Sequence, residues 1–495
     1  MALLRSVGKW IEERTGLGAA VAPVLAHQVP RSSASWWYVF GSATLTLFIL
    51  QIATGICLAL VYIPSADKAY DSLLYLNYVA PLGWLLRAVH FWGSNAMVAV
   101  MTLHMIQVFL FGAHKYPREM TWVAGVFLFL CTLGMAFTGQ VLRWDQDAYW
   151  GLGISAAIAA RSPVIGESLV HVLLGGPIIA GRTLSRFFAV HVFIVPGLLI
   201  GLVGLHLWLV LRLGINEWPM PGRMVDRNTY RKRYEEEVHK DGVPFFPDAA
   251  KKDMVAAGVV ILVVLACAAV FGPFGPGGVP DPTIIDTAPT PDFYFLALFA
   301  LFALLPPWTE TVLLLVGPPL AIGLLFLVPF ISGTGEKSWK RRPVAVLGVI
   351  LIVLTVTTLA GLGVIVPWSP KMEAWSAVPT PVQYVKGRGP LELQGALVLQ
   401  NKQCRNCHSL GGEGGKRGPA LDGVATRLTR DQLIRQVLQG GGNMPAYGKN
   451  LSPAEVAAVV AFMRTLNSTN KSPARDSAEP ENPGAKQKLT ASAGN

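Results

Sequence analysis

Seven stretches of this 495-residue chain are apolar for long enough to cross a bilayer: about 37–63, 88–112, 121–142, 187–211, 254–272, 311–332 and 344–367. Each approaches or exceeds the ~20 residues that a helix needs to span hydrocarbon. Their polarity does not alternate, and an isolated stretch in lipid must satisfy its own backbone hydrogen bonds, so helices are expected. Segment 145–185 is partly apolar but broken by Arg161, Pro163 and Gly175-Gly176-Pro177, and 273–310 is rich in proline, so the count is seven or eight spans. From about 385 the pattern turns soluble, with helical periodicity over 389–402, 430–439 and 452–466 and glycine-rich loops between. The pattern predicts an all-α protein, a polytopic membrane helical bundle carrying a small α-helical domain at its C-terminus. Its parts are a surface segment 1–36, a four-helix core 37–215, a loop 216–253 and a three-helix part 254–368. A linker 369–388, the small domain 389–467 and a tail 468–495 follow. The tail holds Ser, Pro, Ala, Asn and Lys with little that can pack, and disorder is expected there.

Composition agrees with a membrane protein: 52% of residues are hydrophobic and only 14% charged, with a mean hydropathy of +0.45. The net charge of +11 comes mainly from topology. Arg5, Lys9, Arg14 and Arg31, Lys115 and Arg118, the 212–252 loop, and Lys337, Lys340, Arg341 and Arg342 hold most of the cations, while 273–310 holds no Lys or Arg. The positive-inside rule then makes the N-terminus cytoplasmic and everything after the seventh span external. Basic residues of the C-terminal domain supply the rest, and no nucleic-acid partner is expected. Lys9-Trp10-Ile11-Glu12-Glu13-Arg14 reads as an amphipathic surface helix rather than a secretory signal. Cys57, Cys131 and Cys267 read as small core residues, and His27, His114, His171 and His239 as surface or loop histidines.

The chemistry begins with four further histidines. His90 and His104 lie fourteen residues apart in one apolar run, and His191 and His206 fifteen apart in another. Polar side chains at membrane depth are costly and call for a role. Fourteen residues at about 1.5 Å and 100° each place two side chains roughly 21 Å apart on nearly one face. The fifteen-residue step is about 60° off that face, and a kink at Pro196 is expected to absorb it. Facing helices would then clamp two stacked haems, one near each membrane surface, with imidazole on both sides of each iron. Gly41 and Gly55, and Gly125 and Gly139, share the fourteen-residue spacing and read as seats where a flat macrocycle meets a helix without side chains. Cys404-Arg405-Asn406-Cys407-His408 is the attachment pattern of a covalent c-type haem, with His408 as ligand. Met444 is the candidate sixth ligand, and Met463 reads as core. Pro291-Asp292-Phe293-Tyr294 admits two readings: a helix start, or a carboxylate and phenol able to take a proton from a hydroquinone.

Several stretches together resemble the cytochrome b of quinol–cytochrome c oxidoreductases, most closely the chloroplast-type form joined to its small subunit. They are Ala53-Thr54-Gly55, Arg87-Ala88-Val89-His90, Pro117-Arg118-Glu119-Met120-Thr121-Trp122, Trp144-Asp145-Gln146, Ser162-Pro163-Val164-Ile165-Gly166 and Arg186-Phe187-Phe188-Ala189-Val190-His191. The resemblance runs from about 8 to 368, and the remainder is similar to a class I cytochrome c.

That resemblance implies two non-covalent b-type haems. His90 and His191 would hold the low-potential one near the outer face, and His104 and His206 the high-potential one near the cytoplasm. Arg87 and Arg118 would face haem propionates. Asp292 and Phe293 stand where the family has Glu and Trp at the outer quinol-oxidising site, which would also include Tyr294, Tyr149 and Trp150. Arg212 is the candidate at the inner quinone site. Val39 stands where chloroplast-type members have the cysteine that holds an extra haem, so no covalent extra haem is expected. Arg143 replaces the usual proline, with no role legible from sequence. The implied partners are a Rieske iron–sulfur protein, the quinone pool, a downstream cytochrome c or oxidase, and a second copy in a homodimer. The implied location is a bacterial cytoplasmic membrane with the cytochrome c domain on the periplasmic side. The implied activity is quinol oxidation with its two electrons sent along different branches. A di-haem membrane anchor that does not split electrons is the alternative. A transporter is disfavoured because no interrupted pair of spans suggests inverted repeats.

Overall fold

The computed structural model describes residues 2–16, 25–176, 178–282, 291–305, 307–365, 378–415, 418–440 and 450–467, and the single positions 18, 22, 23, 289, 444, 447 and 448. The tail expected to be disordered, 468–495, lies outside the described residues. The chain divides into two compact units, Met1–Pro370 with Gly440–Ala446, and Lys371–Gln439 with Tyr447–Asn495.

In the first unit, seven helices are long and apolar enough to span. They are Phe40–Ala59, Gly83–Leu110, Glu119–Leu142, Gly181–Leu213, Phe245–Phe271, Thr311–Ile331 and Pro343–Val364. Segment 145–185 forms two shorter helices, Gln146–Ala160 and Gly166–Leu174, before the fourth span begins. Asp145 starts the first of them by accepting a hydrogen bond from Ala148 N at 2.9 Å, a side-chain N-cap. The core joins Leu47 and Phe48 of the first span to Ala88, Val89, Met97 and Met101 of the second. Leu128, Leu199, Val264 and Ala268 complete it, so the fifth span packs on the expected four-helix group. Elsewhere the helices turn apolar side chains outward, among them Ile56, Leu198, Leu262 and Ile352, as lipid requires. Cys57 is on this outer surface rather than in the core, because its helix buries only one face; Cys131 and Cys267 are partly covered.

The fourth span carries a correction. Val190–Ile194 is a π-helical turn containing His191. A π turn inserts one residue into a helix, so it, rather than a simple kink, absorbs the fifteenth residue between the histidines. Pro196 explains its position: without an N–H it cannot donate to the carbonyl four residues back, which favours irregular bonding just before it.

The basic loops gather at one end of the helices. Two short antiparallel pairs form there, Gln28–Val29 with Val243–Pro244 and Met224–Val225 with Gly335–Glu336. At the other end, Tyr62 donates to Leu142 O at 2.7 Å, Tyr70 to Gly277 O at 2.7 Å and Asn77 to Gly275 O at 3.2 Å. The fourth span stops at Gly214, whose φ is +76°, and a Cβ there would fall 2.2 Å from the Tyr234 hydroxyl. This close approach seats helix Tyr230–Asp241 against the end of the span.

In the second unit, Pro390–Asn401 packs on Pro453–Met463 with Gly395 at the crossing, where a Cβ would lie 2.0 Å from Ala458 O. The fold begins earlier than its periodicity suggests. Tyr384, assigned above to the linker, is buried and donates to Asp422 Oδ1 at 2.5 Å. Arg405 donates to Val378 O at 2.9 Å and Pro379 O at 3.1 Å. A lone tyrosine in a polar stretch has no periodicity to reveal its burial.

Candidate functional site

Helical spacing puts the four spanning histidines at two levels. At one level His90 and His191 face each other, ring centroids 6.4 Å apart and planes at 77°. With metal–imidazole bonds of about 2 Å on each side and roughly 1 Å from ring centre to nitrogen, two axial ligands reach about this separation. Each histidine meets a glycine of a neighbouring span. A Cβ on Gly55 would lie 3.3 Å from the His90 ring, on Gly139 2.8 Å from His191, on Gly41 3.3 Å from His104 and on Gly125 3.7 Å from His206.

Proton counting orients the first pair. Thr54 Oγ1 donates its only proton to Leu50 O at 2.7 Å, so it accepts from His90 Nδ1 at 2.8 Å. Thr138 Oγ1 likewise donates to Met135 O at 3.0 Å and accepts from His191 Nδ1 at 2.9 Å. With Nδ1 protonated, Nε2 of each ring keeps the lone pair that iron needs. These threonines were not singled out from sequence, although each directly precedes a seat glycine. The residues present therefore fit haem held between two imidazoles.

In the second unit Cys404, Cys407 and His408 come from one short turn. His408 Nδ1 donates to Pro419 O at 2.7 Å, again leaving Nε2 for a metal. Gly418 allows the approach, since a Cβ there would lie 2.5 Å from the ring. Met444 is partly buried and falls with the first unit in the division of the chain, so its role as sixth ligand rests on sequence. Replacing both Cys404 and Cys407 with serine is expected to abolish covalent haem. Haem staining of the denatured chain checks this, and the unaltered chain should carry one covalent haem.

The family can now be read directly. A cytochrome b family model, described as cytochrome b/b6/petB, matches residues 25–214. A second, cytochrome C oxidase, cbb3-type, subunit III, matches 393–463. The chain is 31% identical over 353 residues to the cytochrome bc complex cytochrome b subunit of Chlorobaculum thiosulfatiphilum, covering 70% of this chain and 78% of that one. The chain belongs to the cytochrome b family. It is also 31% identical to a cytochrome b of Allochromatium vinosum, over 72% of this chain and 87% of that one. A solved structure of a hyperthermophilic respiratory complex III superposes with a TM-score of 0.63 at 28% identity, covering 73% of this chain and 92% of that one. This family member is thus a multi-pass, mostly helical membrane protein with a cytochrome c-like domain at its C-terminus.

Away from the basic loops, Asp292 opens helix Phe293–Leu304 but makes no side-chain cap. Its carboxylate instead accepts from the Tyr294 hydroxyl at 2.5 Å. Burial raises the Asp292 pKa above the usual carboxylate range, while Tyr294 and Arg143 pull it back. Tyr149 is buried, edge-on to Trp144 and Trp150 with centroids at 6.2 and 5.6 Å. The Arg87 guanidinium donates to Asn77 Oδ1 at 2.8 Å, to Gly275 O at 2.5 Å and to Phe274 O.

Among the basic loops the structure assembles a cluster with no local sequence signal. Glu217 and Lys337, both almost wholly buried, pair at 2.8 Å across 120 residues of chain. Tyr230 donates to Glu217 at 2.7 Å and accepts from Arg118 at 2.9 Å and Lys337 at 3.0 Å. Burial works against the Glu217 carboxylate, but Lys337, Arg118 and Arg223 outweigh it and bring its pKa down to about 2. Its contribution to stability is therefore complete above the ordinary value of 4.5 and lost as pH falls toward about 2. Lys337→Met removes one partner of this pair. We expect it to cost about 3 kcal/mol, the low end for breaking a buried ion pair because Arg223 still faces Glu217. Thermal unfolding in detergent measures it.

Beside this cluster is a cavity of about 410 Å³, lined by His27, Arg118, Arg212, Tyr230, Tyr234 and His239 among others. That is within the range of small-molecule sites. His27, half-buried, and His239, exposed as expected, both border this cavity. His114 lies in a turn, as expected, but a fully buried one, and meets Ser332 Oγ at 2.9 Å.

Proposed function

We propose that this chain is the cytochrome b/c subunit of a quinol–cytochrome c oxidoreductase that splits the two electrons of quinol between two branches. The observation that carries the reading is the placement of two histidine levels between the Asp292–Tyr294 pair and the 410 Å³ cavity. A quinone-binding place at each end of one helical bundle, with electron carriers between, is what a transmembrane loop of electrons needs.

His90 and His191 hold one b-type haem, His104 and His206 the second, and Cys404, Cys407 and His408 the c-type haem. When bound, these groups supply one-electron carriers. Asp292 takes a proton from a quinol hydroxyl, and Tyr294, already bonded to that carboxylate, fixes its position. Arg87 is tied to the 274–275 backbone and holds the neighbouring loop in place. One electron leaves to a Rieske iron–sulfur partner and on toward the C-terminal domain. The other crosses to a quinone in the cavity, where Arg212 and Arg118 face it. Both protons of the quinol leave on the outer side, with the basic loops cytoplasmic. Joining the cytochrome c domain to the bundle raises its effective concentration at the outer surface.

The test is oxidant-induced reduction in isolated membranes. Quinol is supplied, re-oxidation at the cavity is blocked with a quinone-site inhibitor, and a high-potential oxidant is pulsed in. Reduction of b haem as c haem oxidises is the expected result. Simultaneous oxidation of both would overturn the reading and leave a non-splitting electron wire.

A further inference from the structure

The second and fourth spans both run toward the basic loops, and each ends against a guanidinium. Arg342, just before the seventh span, donates from Nη1 to Phe109 O at 2.9 Å and lies 5.1 Å from the Phe109 ring centroid. Arg118 donates from Nε to Gly214 O at 2.9 Å and from Nη2 to Leu213 O at 3.3 Å. The last carbonyls of a helix form its negative pole, and a cation placed on them reverses the local field. These two helices carry His104 and His206. Phe109 is five residues beyond His104, about 7.5 Å along the axis, so the Arg342 charge sits roughly 10 Å from that histidine level. Arg342 is not among the residues that line the 410 Å³ cavity.

The two ends of the bundle balance their cations differently. Away from the basic loops, Arg143 faces Asp145 at 2.7 Å and Asp147 at 3.7 Å, with Arg87 beside them. Two cations there meet two carboxylates. Among the basic loops, Lys337 and Arg223 share Glu217, and Arg223 also meets Glu237. Three further cations are held by carbonyls and a phenol instead. Buried Lys115 donates to Thr334 O at 2.7 Å and to Ser332 O, Arg118 donates to Tyr230 as well as to its carbonyls, and Arg342 has Phe109 O. The carboxylate acting on both Arg342 and Lys115 is that of Glu336, which already accepts from Gly222 N at 2.9 Å and Ser338 N at 3.0 Å. Positive charge is therefore in excess at this end, and Arg342 brings it onto the helix of His104.

We propose that Arg342 strengthens the hold of the inner histidine level on an electron and so sets the inward direction of transfer between the two levels. The proposal rests on the reading that His104 and His206 hold a b-type haem. Arg342 acts through the end of the second span and is a positioning residue, not a catalytic one. At roughly 10 Å through protein, a unit charge shifts an electron's equilibrium by about tenfold. For one electron that is about 59 mV. The outer level is about 21 Å farther away, so its shift should be about one third as large or less.

The experiment is an equilibrium redox titration of the b haems, followed by absorbance, in the purified complex with the full chain. The inner wave is assigned as the one that remains in His90→Leu. In Arg342→Gln, the inner wave should move down by about 59 mV and the outer wave by a third of that or less. Arg342→Lys should restore most of the shift, since the charge remains and only the planar fork is lost. A cap that merely held the helix end would not move one wave selectively. An unmoved inner wave, equal movement of both waves, or a lysine variant that behaves like glutamine overturns the proposal. If Arg342→Gln does not bind both b haems, Glu336→Gln decides. It removes the opposing carboxylate, so the inner wave should move up, and a wave that stays or falls overturns the proposal. Potentials that shift as expected in a complex without oxidant-induced b-haem reduction would support the role of Arg342 and overturn only the splitting of electrons, because the titration needs no turnover.

Discussion

Asp292→Asn should lower quinol-dependent reduction of the c haem by about 10²–10⁴-fold, the usual contribution of a positioned proton acceptor. The haem spectra should not change. The substitution keeps the shape of the side chain and can still accept a hydrogen bond from Tyr294 through its amide oxygen. It removes the negative oxygen that takes the proton. Burial makes that oxygen valuable, because few water molecules can substitute for it, and the Tyr294 bond at 2.5 Å keeps it aimed. Asp292→Glu should retain most of the rate, since a carboxylate remains and only its reach changes. Turnover in membranes with excess quinol measures both. A rate in Asp292→Asn within a few-fold of the parent would show that the proton leaves by another route.

His90→Leu should eliminate one of the two b haems and stop electrons from crossing the membrane, while the c haem is untouched. Leucine fills the space but offers no lone pair, and Thr54 Oγ1 loses the Nδ1 donor that it now accepts from at 2.8 Å. His191, facing it at 6.4 Å between ring centroids, is then a single ligand. Haem held on one side binds far more weakly, so about half of the reducible b absorbance should vanish. The covalent haem proposed at Cys404 and Cys407 would provide an internal standard for this count. Two b haems surviving per c haem would exclude His90 as a ligand. Gly139→Val should resemble His90→Leu, because a Cβ at Gly139 would sit 2.8 Å from the His191 ring.

These two expectations draw on residues that differ in how they can be read. The histidines were legible because a membrane span is a regular helix whose lipid-facing positions exclude polar groups. Spacing along the chain then translates directly into height and face. The same regularity made the four glycines visible as partners at the same interval. The cysteine pair with its histidine stands out in sequence because the residues that would attach and ligate a haem come from one short turn. Asp292 was ambiguous, since Pro-Asp before an apolar helix also describes an ordinary helix start. Its carboxylate accepts from the hydroxyl of Tyr294, two residues on, instead of capping the backbone, a local choice of partner that the apolar pattern does not encode.

Regular hydrogen bonding along single helices let the sequence alone determine the seven spans, their break at 145–185, the two histidine levels and the separate cytochrome c domain. Long-range approach decided the rest. The π turn at Val190–Ile194 depends on how the fourth span relieves an extra residue beside Pro196. The threonine bonds that set the tautomers of His90 and His191 lie between helices. Glu217 and Lys337 are joined only after two further spans have returned the chain to the same end, and the cavity beside them needs His27, Arg212 and His239 from three separate segments. Arg143, an anomaly when read in line, finds its surroundings in loops more than a hundred residues away. Charges and cavities of this kind arise from side chains meeting across space, and no periodicity along one segment encodes which distant segment will arrive.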